Sequence, residues 1–177
     1  MDIFVVNFSN ADNIKPELLQ EFRHKEFKNK EKEQEHCFSY LMLDRILKEV
    51  YKIQNRKIEF VNKKPYLQTK ELFFSISHSK EYLVLCFSKS ECGIDIEKIT
   101  KRDFVSISER MNFPSKTLEE FYFNWTKYEA EYKLGGRDKC KSMKQSKFEG
   151  FAITAVSSNP QEIFEIYIQN PNNFSKL

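Results

Sequence analysis

From Phe38 the apolar residues Met42, Ile46 and Val50 return every four positions, and Leu41, Leu43 and Leu47 widen the same stripe. That spacing belongs to a helix with one face to bury. It predicts a long amphipathic helix over about residues 30–53, with charged, exposed first turns. The next segments have a different period. Lys57 to Val61, Leu72 to Ser77, Tyr82 to Phe87 and Gly93 to Glu97 are short, rich in aromatic and branched residues, and joined by turns. They read as four strands of one antiparallel meander.

Ile3 to Phe8 reads as an opening strand, and Asn10 to Asn13 followed by Pro16 marks a turn into a helix near residues 17–22. Two more helices are expected around Phe104 to Met111 and Lys116 to Leu134. In the second, Leu118, Phe121, Trp125, Tyr128 and Tyr132 recur at gaps of three and four, an aromatic stripe that should be buried, and Gly135-Gly136 ends it. Phe148 to Val156 and Glu162 to Ile168 close the chain as strands. Each half thus runs from a long helix into a small sheet, a faint internal duplication within an α+β chain.

A formal charge of +3, from 29 basic and 26 acidic residues, is too mild for sequence-independent nucleic-acid binding. The longest apolar run, Tyr82 to Phe87, is far short of the ~20 residues that span a bilayer, and no basic leader precedes the first strand. A cytoplasmic protein with no membrane partner is expected. Cys37, Cys86, Cys92 and Cys140 form no CxxC pair and have no zinc-like spacing, which fits free thiols.

In CGIDIE, residues 92–97, Ile94 and Ile96 point to one face and Asp95 and Glu97 to the other. The two carboxylates carry β-carbons roughly 6 to 7 Å apart, within reach of one cation. The same alternation also describes an ordinary half-solvated strand. In WTKYEAEYK, residues 125–133, Glu129 and Lys133 lie one helical turn apart; their plain reading is a surface ion pair of ~0.2 to 0.5 kcal/mol. Phe74 to Ser79, FSISHS, runs a strand into a histidine flanked by hydroxyls, and Lys64 is fixed by Pro65. Turn residues and solvated lysines account for these as readily as anion contacts do.

Taken together and in this order, Lys64-Pro65, FSISHS, GIDIEK and the Trp-Glu-Lys helix resemble the phosphopantetheinyl transferase superfamily, in its larger Sfp-type branch. The resemblance covers most of residues 30–135, and Phe151 to Val156 is similar to the family's late core strand. It implies two similar α/β subdomains in a pseudo-twofold arrangement, each a long helix on a small antiparallel sheet, divided as 1–98 and 99–177. It implies Mg²⁺ held by Asp95, Glu97 and Glu129, with coenzyme A as co-substrate. A serine of an apo acyl, peptidyl or aryl carrier protein would take the 4′-phosphopantetheine arm and release 3′,5′-adenosine diphosphate, serving fatty-acid or secondary-metabolite biosynthesis. Glu129 would be the base, directly or through a water, and Lys133 would stabilise or protonate the leaving phosphate. Lys64, Ser77 and His78 would contact the nucleotide end, and the protein would act as a monomer.

The chain departs from the family pattern where an arginine usually grips the 3′-phosphate: Cys37 stands there, with His36, Arg23 and Lys25 as nearby substitutes. Tyr128 replaces a usual lysine, and the segment after Lys133 is short. Arg137, Lys139, Lys141, Lys144 and Lys147 crowd around a single acid, Asp138. They read either as a solvated loop or as a docking strip for an acidic carrier protein. The alternatives in function are an inactive or catalytically weak coenzyme A and carrier-binding module of the same fold, and a nucleotide pyrophosphohydrolase.

Overall fold

The computed structural model describes residues 1–8, 19, 21–23 and 26–169. In chain order the elements are β1 (Asp2–Asn7), α1 (Lys30–Glu49), β2 (Ile58–Val61), β3 (Lys64–Leu67), β4 (Phe73–Ser79), β5 (Tyr82–Ser88) and β6 (Cys92–Lys98). There follow α2 (Val105–Arg110), α3 (Leu118–Leu134), a 3-10 turn (Arg137–Lys139), β7 (Ser142–Phe148), β8 (Phe151–Ser157) and β9 (Glu165–Gln169). Half of the helix expected over 17–22, residues 17, 18 and 20, lies outside the described residues. Among the described residues no helix is long and apolar enough to cross a membrane.

The two long helices start where their caps dictate. Asn29 Oδ1 accepts from the backbone N–H of Glu31 and of Lys32, and Glu31 and Glu33 complement the positive end of α1. Thr117 caps α3 by accepting from the N–H of Glu120, whose carboxylate reaches back to the N–H of Lys116. At its far end Gly135 takes a left-handed φ of 107°.

The mixed α+β character is as expected, but the strands do not form one meander. One sheet has the order β4-β5-β1-β9, a second β6-β8-β7, and β2-β3 is a separate hairpin. The reason is occupancy: β5 already has β4 on one edge and β1 on the other, so β6 pairs with β8 instead, Asp95 opposite Thr154. The last strand returns to the first sheet, where β9 lies parallel to β1 with Ile3 opposite Ile166. The sheets therefore interlock across the boundary expected after residue 98. Strand β6, from before it, joins the later sheet, and β9, from after it, joins the earlier one.

Residues on alternating positions of β1 and β5 feed two cores. Phe4, Val6, Leu83, Leu85 and Phe87 pack beneath α1 against Phe38, Met42 and Ile46. On the opposite face Ile3, Val5, Val84 and Cys86 meet Ile94, Ile96, Phe151 and Ile153 of the second sheet. Helix α3 covers the outer face of that sheet, with Ala130 and Leu134 on Val156, and Phe121 and Tyr122 on Ala152. The layers run α1, first sheet, second sheet, α3. The aromatic stripe expected to be buried on α3 is so only in its first half: Phe121 is fully buried with Leu118 and Trp125 packed beside it, but Tyr128 is 44% and Tyr132 75% exposed. Beyond Phe121 the helix buries Tyr122, Thr126, Ala130 and Leu134, four apart, and its small central residues let the helix backbone lie close to the sheet. All four cysteines lie among the described residues and are free.

The two sheets also meet edge to edge. Strands β4 and β6 are edge strands of their own sheets, and hydroxyls bridge them where a backbone ladder would be. Ser75 Oγ accepts from the N–H of Ile94 at 3.2 Å. Ser77 Oγ donates to Asp95 Oδ1 at 2.7 Å. Ser79 Oγ donates to Glu97 Oε2 and accepts from the N–H of Lys98, each at 3.1 Å. Three serines at alternate positions of FSISHS thus shield two edges that would otherwise be open.

Candidate active site

Asp95 sits at this seam and is 5% exposed. Its Oδ1 accepts from Ser77 and from Lys133 Nζ, the latter at 2.8 Å. Lys133 also donates to the carbonyl of Ile94 at 3.0 Å. The second oxygen, Asp95 Oδ2, is buried and has no hydrogen-bond partner. A buried carboxylate oxygen left bare costs stability, so the local structure has one acceptor more than it can satisfy.

Two further acids stand around it. Burial raises the Glu97 carboxyl above its ordinary value, and the charge of Asp95 adds to this, while the Ser79 hydroxyl opposes it. Glu129, half-buried on α3, is raised by burial and then by Asp95, with Lys133 pulling the other way. Three carboxylates and one ammonium therefore share one field. The donor chemistry fits a hard divalent cation, which takes carboxylate oxygens, and the bare Asp95 Oδ2 is an oxygen such an ion would use. In this arrangement Lys133 stands on Asp95, and among the described residues no three acidic, histidine or cysteine side chains are drawn together closely enough to hold a metal ion.

Beside this floor opens a cavity of about 1080 Å³ between α1, the β2-β3 hairpin, β4 and the end of α3. Five lysines line it, Lys32, Lys63, Lys64, Lys133 and Lys139, against one carboxylate, Glu35. That balance suits a polyanion. Burial depresses the Lys64 ammonium, which sits over the Tyr66 ring. Burial also lowers His78, and Lys133 acts with it, although Glu35 lies 3.9 Å from the imidazole. The hairpin that carries Lys64 turns through Asn62 and Lys63, both at left-handed φ, as a two-residue hairpin turn requires.

Of the residues singled out in the sequence, Lys64, His78 and Lys133 line the cavity; Asp95, Glu97 and Glu129 do not, and Asp95 is joined to it through its bond with Lys133. Ser77 does not line it. Its hydroxyl is spent on Asp95, so it supports the carboxylate instead of facing a ligand. Cys37 is also turned away: it is 3% exposed, its thiol is raised by burial, and the neighbouring His36 lines the cavity in its place. Arg23 is engaged with Glu33 at 2.8 Å, and Lys25 lies outside the described residues.

The basic stretch 137–147 is neither a loop nor one strip. Lys139 bonds Glu91 at 3.1 Å and lines the cavity, and Lys141 donates to the Asp138 carbonyl. Lys144 and Lys147 fall three apart on β7 and so on opposite faces, the second paired with Glu119. Lys32 and the serine seam were not picked out from the sequence as site features, although Ser75, Ser77 and Ser79 already alternate there. Compared with known proteins, the sequence matches no family model and no curated relative.

Proposed function

We propose that this chain is an Sfp-type phosphopantetheinyl transferase. It would move the 4′-phosphopantetheine arm of coenzyme A to a serine of an apo carrier protein and release 3′,5′-adenosine diphosphate. One observation carries the reading. GIDIE and the Trp-Glu-Lys helix, the two most specific stretches of the resemblance, meet at Lys133 and Asp95 beside a lysine-lined cavity. In the same reading, α1 on the first sheet and α3 on the second are the two pseudo-twofold subdomains.

The lysines of the cavity would hold the nucleotide and its phosphates, with Lys64 and His78 at the nucleotide end. Lys32 and His36 line the wall beside Cys37 and would take the part of the usual arginine. Asp95, Glu97 and Glu129 would hold Mg²⁺, which when bound supplies neutralising charge to the pyrophosphate. Ser77 keeps Asp95 oriented. Glu129, its carboxyl raised by burial, takes the serine proton, directly or through a water. The serine oxygen then forms its bond to the β-phosphorus as the bond to the departing nucleotide phosphate breaks. Lys133 offers its ammonium to that leaving phosphate. Arg137, Lys141 and Lys144 are the basic residues of the late stretch left to meet an acidic carrier.

Incubation with coenzyme A, Mg²⁺ and a panel of apo carriers, followed by weighing the carriers, tests the reading. The expected result is a gain of one phosphopantetheine arm. Carrier-independent release of 3′,5′-adenosine diphosphate would point to a pyrophosphohydrolase, and coenzyme A binding with no product to an inactive module.

A further inference from the structure

Resting on the reading of Asp95, Glu97 and Glu129 as a divalent-cation site, we propose that Lys133 is the built-in counter-ion of that site. Its ammonium and a bound cation exclude one another at Asp95 until an anion in the cavity draws the lysine away.

The geometry has four parts. Asp95 Oδ1 already accepts two hydrogen bonds, from Ser77 and Lys133, so an ion that takes this carboxylate shares it with an ammonium 2.8 Å from one oxygen. The other oxygen is buried and bare, so an ion has an acceptor to occupy there and meets the lysine at once. Lys133 is held in place by a second bond, to the Ile94 carbonyl, and its side chain is 28% exposed, so water screens it poorly. It also lines the cavity, so a swing of its flexible stem would carry the ammonium from Asp95 toward a phosphate bound there.

The surrounding charges agree with this. Glu97 from β6 and Glu129 one turn earlier on α3 both feel Asp95 and Lys133, and Lys133 also acts on His78 across from β4. Lys133 eases both glutamates of the cluster, and Arg102 helps it at Glu97. A like charge within a few ångströms typically shifts an ionic equilibrium by about one to three decades. The free protein should therefore bind a divalent cation weakly, and an anionic co-substrate should convert a competitor into a partner.

Calorimetric titration of MgCl₂ into the full chain without coenzyme A tests this, with wild type, Lys133→Met and Lys133→Arg compared. The methionine variant should bind Mg²⁺ about tenfold or more tighter than wild type, and the arginine variant no tighter than wild type. A lysine that only props up the ligands would give the opposite sign. Equal or weaker Mg²⁺ binding by Lys133→Met overturns the competition and leaves the cation site standing, whereas no binding by any form overturns the cation site itself. If Lys133→Met does not fold, carbon-13 labelling of lysine Cε in the wild-type protein gives the same answer. The Lys133 signal should move to the position of a solvated lysine as Mg²⁺ saturates, and an unmoved signal at saturation overturns the proposal.

Discussion

Gly93 and the Ala130 carbonyl touch: a Cβ added at Gly93 would stand 2.1 Å from the Ala130 oxygen and 2.9 Å from the Leu134 nitrogen. Both neighbours are backbone, so neither can swing aside. This contact brings α3 down onto β6 and lets Lys133 reach a carboxylate 38 residues away. Gly93→Ala should therefore push the helix outward, cost about 3 kcal/mol of unfolding free energy in a denaturant titration and, on the proposed function, reduce transfer as well.

Ser77→Ala separates two roles for this serine. Since its hydroxyl serves a buried carboxylate, the variant should lose about 1.5 to 3 kcal/mol of stability. Coenzyme A affinity by calorimetry should stay close to wild type. A residue that contacted the nucleotide directly would show the reverse.

Glu97 and Glu129 titrate above the ordinary carboxylate value of 4.5, so between that value and their folded values the native state binds more protons than the unfolded chain. Stability then falls as pH rises through this window, and the penalty is complete above it. In buffer with a chelator, Glu97→Gln and Glu129→Gln should gain Tm relative to wild type as pH is raised through the window. Below it the difference should vanish. Saturating Mg²⁺ should shrink the gain.

An arginine placed at position 37, where the proposed family carries one, should fail. Cys37 is 3% exposed on α1, so Cys37→Arg would force a much larger side chain into packed surroundings, costing about 3 kcal/mol, and should grossly destabilise the protein. Thermal melts will show this before any ligand is added. His36→Arg, one position over and facing the cavity, should instead tighten coenzyme A more than its 3′-dephospho form, as measured by calorimetry.

Much of this fold is legible in the residues, and the missing parts share a cause. The four-residue repeat from Phe38 locates α1, and the alternation of GIDIE locates β6, because periodicity reports which side of an element is apolar. It does not report which strand lies alongside, so the pairing of β6 with β8 is invisible. Strand β3 is masked by Pro65, and β7 by lysines that suit an exposed edge. On α3 the aromatic spacing suggests burial, yet Thr126 and Ala130 mark the true contact, since two backbones approach closely only where side chains are small. The site is legible as residue types, in the acids and in Lys133. Its geometry is not, because the direction of the Ser77 hydroxyl and the convergence on Asp95 depend on how the sheets abut.

The parallel pairing of β1 with β9 places a demand on the order of assembly. Ile3 is synthesised long before Ile166, and at about 5 to 20 residues per second the ribosome takes on the order of ten seconds to deliver the partner. Throughout that interval one margin of β1 has no neighbour, although its other margin can already pair with β5. The closing contact spans nearly the whole described chain, so its loop-closure entropy is met last and late. A nascent chain of this protein would present an unfinished sheet to the cell, and chaperone occupancy during synthesis should end only once Glu165–Gln169 has cleared the exit tunnel.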